Sequence, residues 1–205
     1  MVLVHPTYFP NVSLMAATAQ AEGVVFEIAD NYQKQTYRNR AYVAHAQGRL
    51  SLNVPVKHSK TGERQKTKEV LVENHFPWLA QHWKSLQTAY RASPFFEFYE
   101  DDLLPLFERR VESLLDHNLQ IYEVLCELIG MDPSYGLTEE YLKNPLPTDL
   151  RFLVEAKGSP PIVFGPYSQV LESHHGFLSN LSILDVLFNL GPETLAYLET
   201  QKLPW

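Results

Sequence analysis

Cysteine is almost missing from this chain of 205 residues: Cys126 stands alone, so no disulfide can form within the chain and a reducing compartment is expected. Glycine is scarce as well, with nine scattered copies and no glycine-rich loop of the kind that cradles dinucleotides or triphosphates. Paired cysteines at metal-ligand spacing, a Gly-x-Ser-x-Gly elbow and a His-Glu-x-x-His helix are all lacking. These gaps weaken nucleotide-dependent oxidoreductase, kinase, serine hydrolase and zinc protease readings. No metal site is expected, and the sequence names no cofactor. No apolar run approaches the roughly 20 residues that cross a bilayer, and the N-terminus lacks a basic, apolar leader. A cytoplasmic protein is therefore expected. The net charge of -7 argues against a general nucleic-acid binder, which needs a basic face.

What is present is concentrated near the start. Val2-Leu3-Val4 reads as a strand and runs into His5-Pro6-Thr7-Tyr8-Phe9-Pro10. Val24-Val25-Phe26-Glu27-Ile28 reads as a second strand and runs into a polar block from Asp30 to Arg40. Between them, an alanine-rich stretch over 13–21 reads as a helix, capped by Asn11 or Ser13 and ended by Gly23. Strand, helix and strand in so short a span predict a βαβ unit with parallel strands. Both polar blocks then leave the same, C-terminal edge of the sheet, where α/β proteins place ligands.

The chemistry of the blocks suggests roles. His5 titrates near neutrality and is a candidate acid or base, with Tyr8 and Asp30 as assisting groups; the alternative is a histidine bonding a loop carbonyl. Lys34, Arg38, Asn39 and Arg40 suit a phosphate, carboxylate or sugar, against the alternative of salt bridges to an acidic surface. His82 flanks an apolar stripe of Leu79, Trp83, Leu86 and Tyr90 and is a further candidate contact. The partner implied is a small anionic or sugar-containing molecule, and the oligomeric state stays open.

Further on, 41–46 and 50–56 flank Gln47-Gly48-Arg49 and predict an antiparallel hairpin. Lys57, Lys60, Arg64, Lys66 and Lys68 are opposed only by Glu63, which reads either as a solvated loop or as a basic lid. A short strand is expected over 69–73. Helices are expected from Pro77 to about Arg91, over 101–116, from His117 to Ile129, over 182–190 and over 193–202. An aromatic strand or turn is expected over 95–99, and 132–161 is expected to wrap the surface as turns. Cys126 lies on an apolar helical face and reads as a small buried hydrophobe. The expected architecture is one α/β domain over 1–205. Its small mixed sheet, with the N-terminal βαβ unit, occupies 1–73, and 74–205 is largely helical.

Taken in order, these blocks resemble the WbqC-like protein family. The resemblance is carried by His5-Pro6-x-Tyr8-Phe9-Pro10, Asp30-x-Tyr32-Gln33-Lys34, Arg38-Asn39-Arg40 and Leu52-x-Val54-Pro55-Val56. It continues through His82-Trp83-x-Ser85-Leu86, Ala89-Tyr90-Arg91, Pro94-Phe95-Phe96 and Leu181-Ser182-Ile183-Leu184-Asp185 to Gly191-Pro192. Many similar proteins start the first block with Gln-Pro where this chain has His5-Pro6, which favours a hydrogen-bonding role for His5 over proton transfer. The resemblance implies an enzyme of surface polysaccharide or O-antigen assembly, a group transferase acting on an activated or amino sugar. The competing reading is a non-catalytic accessory subunit of such an assembly, with an apolar patch over Phe95, Phe96 and Phe98.

Overall fold

The computed structural model describes residues 1–57, 64–143, 148–156 and 162–204. Val2–Val4 forms strand β1, Val12–Ala19 helix α1 and Val24–Phe26 strand β2, the βαβ unit expected from the sequence. β1 and β2 pair in parallel, Val2 beside Val24 and Val4 beside Phe26. Asn11 caps α1 by accepting the amide of Leu14 at 3.0 Å. Residues 12–18 of α1 are all buried, because the helix is enclosed between the sheet and the C-terminal helices.

Arg40–His45 (β3) and Gly48–Asn53 (β4) form the hairpin, which makes a two-stranded sheet of its own. Parallel and antiparallel pairing are thus divided between two sheets. The next helices are Trp78–Tyr90 (α2), Phe96–Leu103 (α3), Pro105–Glu108 (α4) and Leu114–Ile129 (α5). α5 is capped by Ser113, whose hydroxyl accepts the Asp116 amide, and it ends at Gly130 in the left-handed region.

The segment 132–161, expected as turns, holds two further strands, Tyr135–Leu137 (β5) and Thr148–Asp149 (β6). Both are too short and too poor in β-branched residues to be seen as strands; they exist because β2 and β1 offer free edges. Glu172–His175 (α6), Ile183–Leu190 (α7) and Thr194–Thr200 (α8) complete the chain.

The four parallel strands lie in the order β5-β2-β1-β6. The chain steps outward from β1 to β2 to β5, then returns to the far side of β1 with β6. The reversal beside β1 is a topological switch point, and ligands of open parallel sheets bind outside the C-terminal strand ends at such a point.

Four other expectations change. Residues 95–99 are not a strand or turn: Phe96 begins α3, with Phe96 and Leu103 as its buried side. The helix expected over 101–116 is broken between α4 and α5, because Glu112 and Leu114 hydrogen-bond in extended form to Val72 and Val70. The strand expected over 69–73 reduces to isolated bridges of Val72 with Val56 and of Leu71 with Ser113. On α2 the buried face runs through Trp78, His82, Leu86, Ala89 and Tyr90, so His82 points into the core rather than flanking the stripe. Gly191 closes α7 at φ +54, and a Cβ there would lie 2.5 Å from the Phe95 ring, so both conformation and space require glycine.

Candidate functional site

The two polar blocks meet, as their strand positions require. The Tyr8 amide donates to the Tyr37 carbonyl at 2.9 Å. Asn118 of α5 ties them together, its side-chain amide reaching the carbonyl of Arg38 at 2.7 Å and that of Pro6 at 3.4 Å. Asn118 was not singled out by the sequence, where it is one polar residue on an amphipathic helix. Phe9 closes the first block at φ +39, an uncommon conformation for a bulky residue that the stacked Phe107 ring, 5.4 Å away, and its burial hold in place.

His5 is buried at the C-terminal end of β1. Its Nδ1 faces the carbonyl oxygen of Glu27 at 3.1 Å, and a carbonyl only accepts, so Nδ1 carries the proton. Nε2 is then a lone pair, and it accepts from Nη2 of Arg38 at 2.9 Å. Burial first, and the Arg38 charge second, push the His5 pKa down to about 3. With both nitrogens occupied and the ring neutral, His5 is a bridge between Glu27 and Arg38, and neither nitrogen is left for the acid-base role considered from sequence.

Arg38 is itself buried. Its Nη2 also donates to Oδ2 of Asp30 at 2.6 Å, while Thr67 donates its hydroxyl to Oδ1 at 2.5 Å. Asp30 thus reaches the cavity described below already neutralised, and Arg38 serves it rather than a ligand. Arg40 turns the other way, its Nε donating to Oδ1 of Asn53 at 2.7 Å across the hairpin. The Asn39 amide donates to the Val54 carbonyl at 3.0 Å. Lys34 is exposed on the loop.

Tyr8 and His82 lie elsewhere, in a buried ring cluster with Trp78 and His117. The Tyr8 hydroxyl bonds Nδ1 of His82 at 2.8 Å, and the four rings pack at centroid distances from 5.3 to 6.2 Å. Burial raises the Tyr8 pKa and lowers those of His82 and His117 to about 4. These groups hold the first block against α2 and α5 and line no part of the cavity beside Asp30.

That cavity measures about 520 Å³ and is lined by Asp30, Asn31, Tyr32 and Gln33 together with Arg64, Lys66 and Tyr141. The basic segment is brought there by its backbone: the Tyr32 amide donates to Gln65, and the amides of Thr67 and Lys68 donate to Asp30 and Ile28. Its other part, with Lys60, Gly62 and Glu63, lies outside the described residues. The buried hydroxyl of Tyr32 has no hydrogen-bond partner among the described residues, and burial pushes its pKa up to about 12.

The family model for WbqC-like proteins matches residues 5–157, which takes in both blocks, the hairpin, α2 to α5 and the whole parallel sheet apart from Val2–Val4. The chain belongs to the WbqC-like protein family. Within the family it is similar to the uncharacterized protein Rv1507c of Mycobacterium tuberculosis, with 26% identity over 194 residues, 82% of this chain and 83% of that protein. No solved structure matches it. The family model ends before α6, α7 and α8, and the C-terminal segment is locked to the core by buried Asp185. That carboxylate accepts from Tyr90 at 2.8 Å, Tyr167 at 2.5 Å and Gln169 at 2.7 Å.

Among the described residues, no group of three or more His, Cys, Asp or Glu side chains is placed to hold a metal ion, and no helix is long and apolar enough to cross a membrane. Of the candidates offered by the sequence, Asp30 lines this cavity. Arg64 and Lys66 carried a visible signal in the basic segment. Tyr141 carried none, because it reaches the site only through the packing of β5 and β6.

Proposed function

We propose that this WbqC-like protein binds a small phosphorylated, sugar-containing metabolite in the cavity beside Asp30 and acts on it as a group transferase of surface-polysaccharide assembly. The observation that carries the reading is the cavity itself. Two cations, two amides and two tyrosines surround a space of about 520 Å³ at the C-terminal edge of a parallel sheet. Arg64 and Lys66 match phosphate oxygens, and Asn31 and Gln33 match hydroxyls. The polysaccharide context comes from the family resemblance alone. The two cations in the wall would contribute positioning and charge stabilisation to the rate.

The test is isothermal titration of the protein with pyrophosphate and with sugar 1-phosphates. Binding that is lost in an Arg64→Ala, Lys66→Ala double variant of unchanged melting temperature supports the reading. Absence of binding by every phosphate compound defeats it. The accessory-subunit reading draws on Phe98, which is 73% exposed, although Phe96 beside it is fully buried.

A further inference from the structure

We infer that the ligand of this cavity is a nucleoside phosphate, its base stacked on Tyr141. This rests on the phosphate-binding reading above and deepens it. Tyr141 lines the cavity and is 47% exposed, yet everything beneath it is fixed. The Arg151 guanidinium lies over the ring with its carbon 4.9 Å from the centroid. That guanidinium forks onto Asp149 through Nε at 2.9 Å and Nη2 at 2.8 Å, and Nη1 donates to the Leu142 carbonyl at 2.9 Å and to Glu27 at 3.3 Å.

Glu27 is wholly buried at the end of β2. It also accepts from the Ala29 amide, the Thr138 hydroxyl and the Leu142 amide. Leu142, the residue after Tyr141, is therefore held at both its amide and its carbonyl. Burying a carboxylate is costly unless its lone pairs are matched, and those of Glu27 are matched by donors that pin the Tyr141 backbone, while Arg151 braces one face of the ring. Four of the five Arg151 N–H groups are taken by these partners. Its geometry serves the ring.

A braced, half-exposed tyrosine in the wall of a cavity that also carries Arg64 and Lys66 presents a stacking surface and a phosphate site together. Stacking on an aromatic side chain is tolerant of base identity, and it loses little entropy when the ring is already immobile. A sugar phosphate would use the cations but gain little from the ring. A nucleoside phosphate uses both.

The experiment is isothermal titration of the full chain with the four common nucleoside 5′-monophosphates, ribose 5-phosphate and pyrophosphate, repeated on Tyr141→Ala, Tyr141→Phe and the Arg64→Ala, Lys66→Ala double variant. At least one nucleoside monophosphate is expected to bind about ten-fold tighter than ribose 5-phosphate. Tyr141→Ala should abolish that margin while leaving pyrophosphate affinity and melting temperature unchanged, and Tyr141→Phe should keep it. The double variant should weaken nucleotides and pyrophosphate alike. If pyrophosphate and ribose 5-phosphate bind but no base adds affinity, the stacking inference fails and the phosphate reading stands. A Tyr141→Ala variant that retains the margin, or weakens pyrophosphate equally, also overturns it. If nothing binds, both readings fall.

Discussion

Arg38 donates to Asp30 at 2.6 Å with both side chains buried, and this pair is the hinge between the two polar blocks. The same guanidinium nitrogen reaches His5, so strand ends β1 and β2 are joined through one cation. Removing the cation leaves a buried carboxylate whose remaining side-chain hydrogen bond among the described residues is the one from Thr67. Arg38→Ala is expected to destabilise the protein by about 3–5 kcal/mol, read by urea unfolding. Arg40→Ala, which breaks a partly exposed contact with Asn53, should cost less than about 1 kcal/mol. Equal losses from the two variants would refute this division of labour.

His5 donates to one oxygen and accepts from one nitrogen, and a glutamine amide offers the same pair of functions. His5→Gln is expected to stay within about 1 kcal/mol of the parent, whereas His5→Ala should cost about 1–3 kcal/mol by stranding Arg38 and the Glu27 carbonyl. Ligand affinity should follow the same order, and a Gln variant that folds normally but has lost all ligand binding would restore a chemical role to His5.

Acid should destabilise the protein above the range where carboxylates titrate. His5 in the folded state sits at about 3, and His82 and His117 at about 4, all below the ordinary histidine value of 6.5. The unfolded chain takes up protons at these positions as the pH falls through 6.5, and the folded chain does not until 3–4. The stability they contribute is thus present above pH 6.5 and lost as pH falls toward 4. Near pH 5 the slope should be on the order of 3 kcal/mol per pH unit. Urea midpoints at pH 7, 6 and 5 measure it; a flat profile would show that these rings protonate without unfolding.

Gly191→Ala meets two obstacles, a φ of +54 and the Phe95 ring 2.5–2.8 Å from the new methyl. A loss of about 2–3 kcal/mol is expected. Gly48→Ala has a positive φ but nothing within 4 Å, so its cost should be clearly smaller. Thermal melts of the two variants give the comparison.

The Cys126 thiol is buried and pushed up to about 12, chiefly by desolvation. It should resist thiol reagents at pH 8 in the native protein and react at the rate of unfolding in urea. Rapid native labelling would mean that α5 opens locally.

The sequence was legible where hydrophobic pattern, cap and stop agreed within one element. Asn11 before α1, Gly130 after α5 and the Gly48 hairpin each carry a local reason for their structure. The meeting of the two blocks was legible too, since parallel strands must send both loops to one edge. What the sequence hid were elements whose pattern is too short to register. β5 and β6, three and two residues long, become strands only against the edges of β2 and β1.

The chain by itself therefore determined the βαβ start, the hairpin, the helical second half and the clustering of polar side chains at the C-terminal strand ends, because each follows from backbone propensity and periodicity over neighbouring residues. The tertiary structure decided which of those side chains are buried and which line the cavity. Folding assigned His5, Arg38, Tyr8 and His82 to the interior, since burying one charge or ring nitrogen requires spending its neighbours on it. It delivered Arg64, Lys66 and Tyr141 in their place, from segments that meet Asp30 only when the sheet is complete.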